Sequence, residues 1–135
     1  MIVVDASVLI AVFLVQDVHH ALSRAWFDQQ VAAGATLAGP MLLLTELAGA
    51  ISRRTGDPAL GRAAVAWFTQ LPESQLFPMD DPLWQQATEL AAALGLRGAD
   101  AVYVALAAQL QIPLLTWDRE QRERSAQHID AREPS

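Results

Sequence analysis

The chain has 135 residues, of which 53 % are hydrophobic, so it can bury one core, and we expect a single domain over residues 1–135. It contains no cysteine and its nine basic residues are all arginine, which excludes disulfides, zinc–thiolate sites, a cysteine nucleophile, Schiff-base chemistry and the Walker phosphate loop. The net charge of −6 argues against nucleic-acid binding by a broad basic surface.

The N-terminal half begins with a predicted buried strand. Ile2, Val3 and Val4 form a short unbroken apolar run, which is typical of a strand buried on both faces. Asp5 follows at its carboxyl end. The other elements predicted in this half are helices over 6–14 and 18–33, a short strand over 36–38, a helix from Pro40 to about Arg54 and a helix from Asp57 to about Gln70.

The C-terminal half continues the alternation of strands and helices. The predicted elements are a strand over 75–79, a helix from Pro82 to the Gly95 stop, a helix over 100–110, a strand over 114–116, a short polar helix opened by Asp118 and a last strand around 127–130. The helix over 100–110 is apolar almost all round, which places it in the middle of the domain. This alternation predicts an α/β fold with a mainly parallel sheet.

The N-terminal segment does not have the pattern of a secretory signal or a membrane anchor. The apolar run 8–15 is too short to span a bilayer, and the residues before it contain Asp5 and no Lys or Arg. We therefore expect no membrane association and a cytoplasmic location.

Four acidic residues have positions that suggest a site. Asp5 and Asp118 each follow a predicted strand, Asp100 opens the buried helix, and ligands bind at the carboxyl ends of parallel strands. Each aspartate is also well placed as a helix N-cap, and Asp118 with Gln121 has a capping-box pattern. Glu46 lies on the flank of an apolar helical stripe, where the alternative is a partly exposed glutamate at the helix edge that pairs with an arginine.

Carboxylates that converge on one edge of a sheet repel one another unless a cation lies among them. A hard divalent cation with oxygen ligands is the simplest candidate. The spacing of the four acids along the chain does not by itself establish that they converge.

Four motifs resemble those of the PIN domain superfamily, and most closely those of its VapC-type toxin ribonucleases. The motifs are, in chain order, VVDASVL, LLLTELAGAISR, RGADAVYVALA and LLTWDRE. They span nearly the whole chain in the right order and at plausible separations. The resemblance implies a three-layer α/β/α fold with a central, mainly parallel sheet of four to five strands. It also implies that an acidic quartet, matching Asp5, Glu46, Asp100 and Asp118, binds Mg²⁺ or Mn²⁺.

The resemblance extends to supporting residues and partners. The small hydroxyl residues of the family pattern match Ser7 and Thr116, and the family implies an RNA substrate, a small VapB-like antitoxin and a homodimer. Arg97 lies three residues before Asp100, where it is a candidate phosphate ligand or, alternatively, a surface salt-bridge partner. The remaining expectations are that His19, His20 and His128 lie at the surface and that most of the four tryptophans, at 26, 67, 84 and 117, pack in the core.

Three functions remain open. The first is a metal-dependent endoribonuclease of a toxin–antitoxin pair, in which one or two ions activate a water and neutralise the leaving oxygen. The second is a PIN-type or flap-type nuclease acting on DNA or structured RNA outside any toxin pair, which the small size disfavours. The third is a non-catalytic α/β interaction domain whose carboxylates are helix caps, against which the complete quartet counts.

Overall fold

Every strand pair in the central sheet is parallel. The structure, a computed structural model, describes residues 1–135 and contains five strands in the order β3-β2-β1-β4-β5, with seven helices around them. The strands are β1 (Ile2–Val4), β2 (Leu37–Pro40), β3 (Ser74–Phe77), β4 (Leu114–Leu115) and β5 (Ala131–Arg132). This confirms the predicted α/β fold with a parallel sheet of four to five strands flanked by helices.

The helices connect successive strands, as parallel pairing requires. They are α1 (Ala6–Phe13), α2 (His20–Ala32), α3 (Leu42–Thr55), α4 (Pro58–Thr69), α5 (Asp81–Leu94), α6 (Gly98–Leu110) and α7 (Arg119–Ser125). No single helix is long and apolar enough to cross a membrane; α5 and α6 reach that length and hydropathy only as a pair bent by 114°.

Helix α6 forms the centre of the core, as its sequence predicts. All seven residues from 101 to 107 are buried, none of them more than 2 % exposed, and the helix packs against β1 and β2. In β1, Val3 and Val4 are fully buried. Because α6 and β1 pack tightly against each other, the side chains in the first turn of α6 have fixed positions relative to those at the carboxyl end of β1.

Helices α3 and α4 form a closely packed pair. Gly56, in the left-handed region at φ 69°, ends α3, and the Asp57 carboxylate caps α4 by accepting from the Ala59 amide at 2.9 Å. At Gly61 of α4 the two backbones approach so closely that a Cβ would lie 2.6 Å from the Ala48 carbonyl oxygen. The pair therefore fixes the position of α3 relative to its neighbours.

Three predicted boundaries are wrong. Pro40 is the last residue of β2 rather than part of a helix, because the amide of the next residue, Met41, still bonds to the Phe77 carbonyl of β3. Helix α6 begins at Gly98, so Asp100 lies within its first turn and does not cap it. The last strand is at 131–132 rather than 127–130, because the chain after α7 first turns back to bond the Ser125 carbonyl.

The aromatic residues differ in part from expectation. The ring of His19 stacks on Trp117 with centroids 3.9 Å apart, and His20 Nδ1 lies 2.8 Å from the Ala11 carbonyl oxygen, so these two histidines are not free surface residues. The stacking joins segments distant in sequence, and the His20 contact reaches back nine residues to α1; neither has a local sequence signal. His128 is exposed as expected. Trp26 is buried, and the tryptophans at 67 and 117 pack against the core, whereas Trp84 is 48 % exposed.

Candidate active site

One cleft at the carboxyl end of the sheet contains all four predicted acids. Its volume is about 500 Å³, and it opens to solvent between α1, α3 and the N-terminal ends of α6 and α7. The polar residues lining it are Asp5, Ser7, Thr45, Glu46, Arg53, Arg97, Asp100 and Asp118. The folding of the chain thus brings the quartet into one cleft, as parallel-sheet topology suggested.

Asp5 is the most buried of the four acids. It is 7 % exposed, and its Oδ2 accepts a hydrogen bond from the Ser7 amide at 2.9 Å at the start of α1. Burial raises the pKa of this carboxyl from 3.8 to about 6, and the nearby charges of Glu46 and Asp100 act in the same direction. Asp5 is therefore both a helix cap and a carboxyl group whose charged form is disfavoured by burial.

Glu46 extends from the middle of α3 into the cleft and forms no salt bridge. Its Oε1 is buried and has no hydrogen-bond partner. Burial raises the pKa of the Glu46 carboxyl, and the charge of Asp100 adds to this. The nearby Tyr103 hydroxyl lowers the pKa, although neither Glu46 Oε1 nor the Tyr103 hydroxyl oxygen has a well-formed hydrogen bond. Glu46 is partly exposed, as the alternative expected, but the pairing with an arginine is wrong, because none of the salt bridges includes it.

Asp100 and Asp118 face each other across the cleft mouth. The Asp118 carboxylate caps α7, its Oδ1 accepting from the Gln121 amide at 3.0 Å. The predicted capping box is only half formed, because the Gln121 side chain donates to the Asp100 carbonyl instead, at 3.2 Å. Burial raises the pKa of Asp100, and the charge of Asp118 adds to this while Arg97 opposes it.

The two predicted hydroxyl residues join the ends of β4 and β1. Thr116 is fully buried, and its Oγ1 accepts from the Asp118 amide at 3.0 Å. Ser7 Oγ accepts from the Trp117 amide at 3.1 Å, and the two hydroxyl oxygens lie 3.4 Å apart. Ser7 and Thr116 therefore hold the segments bearing Asp5 and Asp118 in register, which is a positioning role.

Arg97 bridges two of the acids. Its Nε lies 3.0 Å from Asp100 Oδ2, and its Nη2 lies 2.7 Å from Asp118 Oδ2. These contacts raise the pKa of the guanidinium, Asp100 contributing most. The salt-bridge alternative from the sequence is therefore observed, although inside the cleft; binding of a phosphate by Arg97 stays a prediction.

Arg53 is a further functional candidate, which the sequence alone does not distinguish from the adjacent Arg54. It lines the same cleft from α3 and makes no ion pair, whereas the adjacent Arg54 pairs with Asp17 at 2.7 Å. The helical spacing contains the signal, since positions 46, 50 and 53 lie on one face of a helix. Two adjacent arginines could be told apart only by asking which of them shares the face of Glu46.

The chemistry of the cleft suits a hard divalent cation, although the carboxylates do not form a closed cage. No three His, Asp or Glu side chains in the chain are arranged to hold one ion as they stand. The donors are nevertheless all carboxylate oxygens, and the buried, unpartnered Oε1 of Glu46 is a polar atom that a cation would satisfy. The residues therefore fit such an ion in donor type and burial.

Comparison with known proteins places the chain in a family. Solved structures with the same fold include the VapC20 toxin of Mycobacterium tuberculosis, which cleaves the sarcin–ricin loop (TM-score 0.78, 20 % identity, 96 % of each chain), and DNA-bound VapBC from Salmonella typhimurium (TM-score 0.74, 15 % identity, 99 % of this chain and 98 % of that chain). FitAcB from Neisseria gonorrhoeae is also similar (TM-score 0.70, 20 % identity, 99 % and 98 %). A sequence search of curated proteins finds no significant match. The profile of the PIN domain matches residues 2–126, and the chain therefore belongs to the PIN domain family.

Proposed function

We propose that this protein is a divalent-metal-dependent endoribonuclease and the toxin of a VapBC-type toxin–antitoxin pair. The observation that supports this best is the single cleft lined by Asp5, Glu46, Asp100 and Asp118, with an unpartnered buried oxygen on Glu46. The nuclease class follows the PIN domain family, and the toxin assignment follows similar structures of a sarcin–ricin-loop-cleaving toxin and of toxin–antitoxin complexes.

The four acids divide into two pairs with different roles in this proposal. Asp5 and Asp100 hold Mg²⁺ or Mn²⁺ directly, while Asp118 and Glu46 bind a second ion or act through water. A divalent ion held by these carboxylates would lower the pKa of a water and would neutralise charge on the leaving oxygen. Ser7 and Thr116 keep Asp5 and Asp118 in place through the hydrogen bonds between β4 and α1.

The two arginines of the cleft bind the RNA backbone. Arg53 has no carboxylate partner and is available to a phosphate, and Arg97 lines the same cleft beside Asp100. The chain has few cations to offer, so this binding is local and weak. We further propose a cytoplasmic homodimer with a VapB-like antitoxin, which follows the family resemblance.

The test is cleavage of RNA by the purified protein with and without Mg²⁺ or Mn²⁺. We expect cleavage only with the metal, and loss of cleavage in Asp100→Asn, which keeps the shape of the side chain but removes its charge. Asp80→Asn is the matched control, because it removes the same charge at the start of α5, where asparagine can still cap Leu83. Cleavage that survives excess EDTA, or near-normal cleavage by Asp100→Asn, would contradict the proposal.

The same preparation distinguishes the other two functions. Preferential cleavage of DNA or of structured flaps would favour a nuclease outside a toxin pair. Absence of cleavage on every nucleic acid with both metals would favour a non-catalytic interaction domain whose aspartates serve only as caps.

A further inference from the structure

Arg97 lies against the two proposed metal ligands at the mouth of the cleft. Its side chain is 75 % exposed, whereas those of Asp100 and Asp118 are only 18 % and 23 % exposed. The guanidinium thus lies on the solvent side of the carboxylates and neutralises part of their charge. Arg97 is the N-cap residue of α6, but its side chain makes no capping hydrogen bond, and its only side-chain hydrogen bonds are those to Asp100 and Asp118.

The contacts of Arg97 use oxygen atoms of two carboxylates that we propose as metal ligands. Asp118 Oδ1 already accepts from the Gln121 amide, so Oδ2 is the oxygen of this carboxylate that points toward cations, and Arg97 is bound to it at 2.7 Å. On Asp100 the guanidinium also takes Oδ2, at 3.0 Å. A guanidinium and a divalent cation on one oxygen repel each other, so the binding of each weakens the binding of the other there.

We propose that Arg97 is an internal counter-ion of the site, and that a divalent cation binds by displacing its guanidinium from Asp100 and Asp118. This inference rests on the proposed function, because it takes these carboxylates as metal ligands. The displaced Arg97 side chain stays near the mouth of the cleft, because its backbone is fixed there, and becomes available to an RNA phosphate. Metal binding and RNA binding are therefore linked through one side chain, and each favours the other.

Arg53 offers a matched comparison within the same cleft. It has the same charge but contacts no carboxylate, so it exerts only a general repulsion on an incoming cation. Substitution of either arginine by glutamine removes one unit of charge. Only substitution of Arg97 removes a competitor for Asp100 and Asp118.

The experiment measures Mn²⁺ binding by electron paramagnetic resonance without RNA, on wild type, Arg97→Gln, Arg97→Lys and Arg53→Gln. We expect Arg97→Gln to bind Mn²⁺ about three- to tenfold more tightly, the range for removal of two exposed ion pairs. Arg97→Lys should show part of this gain, because one ammonium cannot span both carboxylates as the planar guanidinium does. Arg53→Gln should change the affinity less than about twofold.

The other possible results of this experiment contradict different parts of the proposal. Unchanged or weaker Mn²⁺ binding by Arg97→Gln would overturn the competition, and so would an equal gain in Arg53→Gln, since general charge would then explain both. Wild-type affinity in Arg97→Lys would overturn competition through contact. Failure of all four proteins to bind Mn²⁺ would instead overturn the metal site, and with it the proposed function. Because Arg97 is largely exposed, its variants should fold, and circular dichroism checks this.

Discussion

At the scale of single residues, Asp5 has two opposing requirements. Its carboxylate caps α1, yet it is buried with Glu46 and Asp100 nearby, and its pKa is raised to about 6. A raised folded-state pKa means that the native protein binds a proton more tightly than the unfolded chain does. The favourable contribution of Asp5 is then fully present below the unfolded pKa, near 4, and is lost as the pH rises through about 6.

We therefore predict that Asp5→Asn stabilises the metal-free protein at neutral pH. Asparagine retains the cap and the shape but needs no ionisation, and a shift from 3.8 to about 6 corresponds to at most about 2 to 3 kcal/mol. Thermal melts in EDTA should show the variant melting higher at pH 7.5 and equal to wild type at pH 3.5. A variant less stable than wild type at pH 7.5 would show that the buried charge of Asp5 has a partner in the folded protein.

A second residue-scale prediction concerns the response to metal. The proposed site exists only in the folded protein, so Mg²⁺ should raise the melting temperature of the wild type, and Asp5→Asn should reduce this rise. The control is Asp80→Asn, which lies outside the cleft and should respond like wild type. If the double variant Asp5→Asn, Asp100→Asn responds to Mg²⁺ as strongly as the wild type does, the ions bind elsewhere.

The resemblance of four local motifs to the PIN domain superfamily predicted which acids share the cleft, whereas their spacing along the chain did not establish that they converge. The sequence did not predict the hydrogen-bond and ion-pair partners of these acids. The unpartnered Oε1 of Glu46 depends on where α3 lies against Tyr103, and the bridge from Arg97 to Asp118 joins positions 21 residues apart. Such contacts are set by tertiary packing and have no local signal.

At the scale of elements, the position of α3 is set by its contact with α4. Because Glu46 and Arg53 both belong to α3, a displacement of this helix moves one acid and one arginine of the cleft together. The closest point of the contact is Gly61, where an added Cβ would meet the Ala48 carbonyl oxygen at 2.6 Å. A backbone oxygen cannot move aside as a flexible side chain can.

We predict that Gly61→Ala destabilises the protein by about 1 to 3 kcal/mol, the usual cost of overpacking. Urea unfolding measures this, and weaker Mn²⁺ binding should accompany it as α3 shifts. Gly98→Ala is the control, because no atom lies within 4 Å of the position its Cβ would take, and its stability should stay within about 0.5 kcal/mol of wild type. Equal stability of Gly61→Ala and wild type would show that the two helices separate without cost.

The elements themselves could be predicted where a terminator was present. Gly56 and Gly95 both end helices in the left-handed conformation, and Pro58 lies in the first turn of α4. The misplaced elements lack such signals or have ambiguous ones. Pro40 suits a helix start as well as a strand end, and β5 has only two residues, which is too short for any periodicity.

At the scale of the whole molecule, most arginine side chains pair with carboxylates of the chain, so few are left to contact RNA phosphates. Seven of the nine arginines form ion pairs with carboxylates of the chain, which leaves Arg53 and Arg62 without one. Among all nine, only Arg53 and Arg97 line the cleft. Arg54 and Arg119, which are also near the acids in sequence, pair with Asp17 and Glu123 instead.

We therefore predict a shallow salt dependence of RNA binding, measured with a short single strand on Asp100→Asn so that cleavage does not interfere. Each phosphate contact contributes about 0.7 to the slope of log affinity against log salt, so two or three contacts give a slope of about 1.4 to 2. Arg53→Gln in this background should lower the slope by about 0.7, whereas Arg62→Gln, outside the cleft, should leave it unchanged. A slope that implies six or more contacts would require a continuous basic track, which the pairing of the other arginines does not leave, and would contradict a small site centred on the acidic cleft.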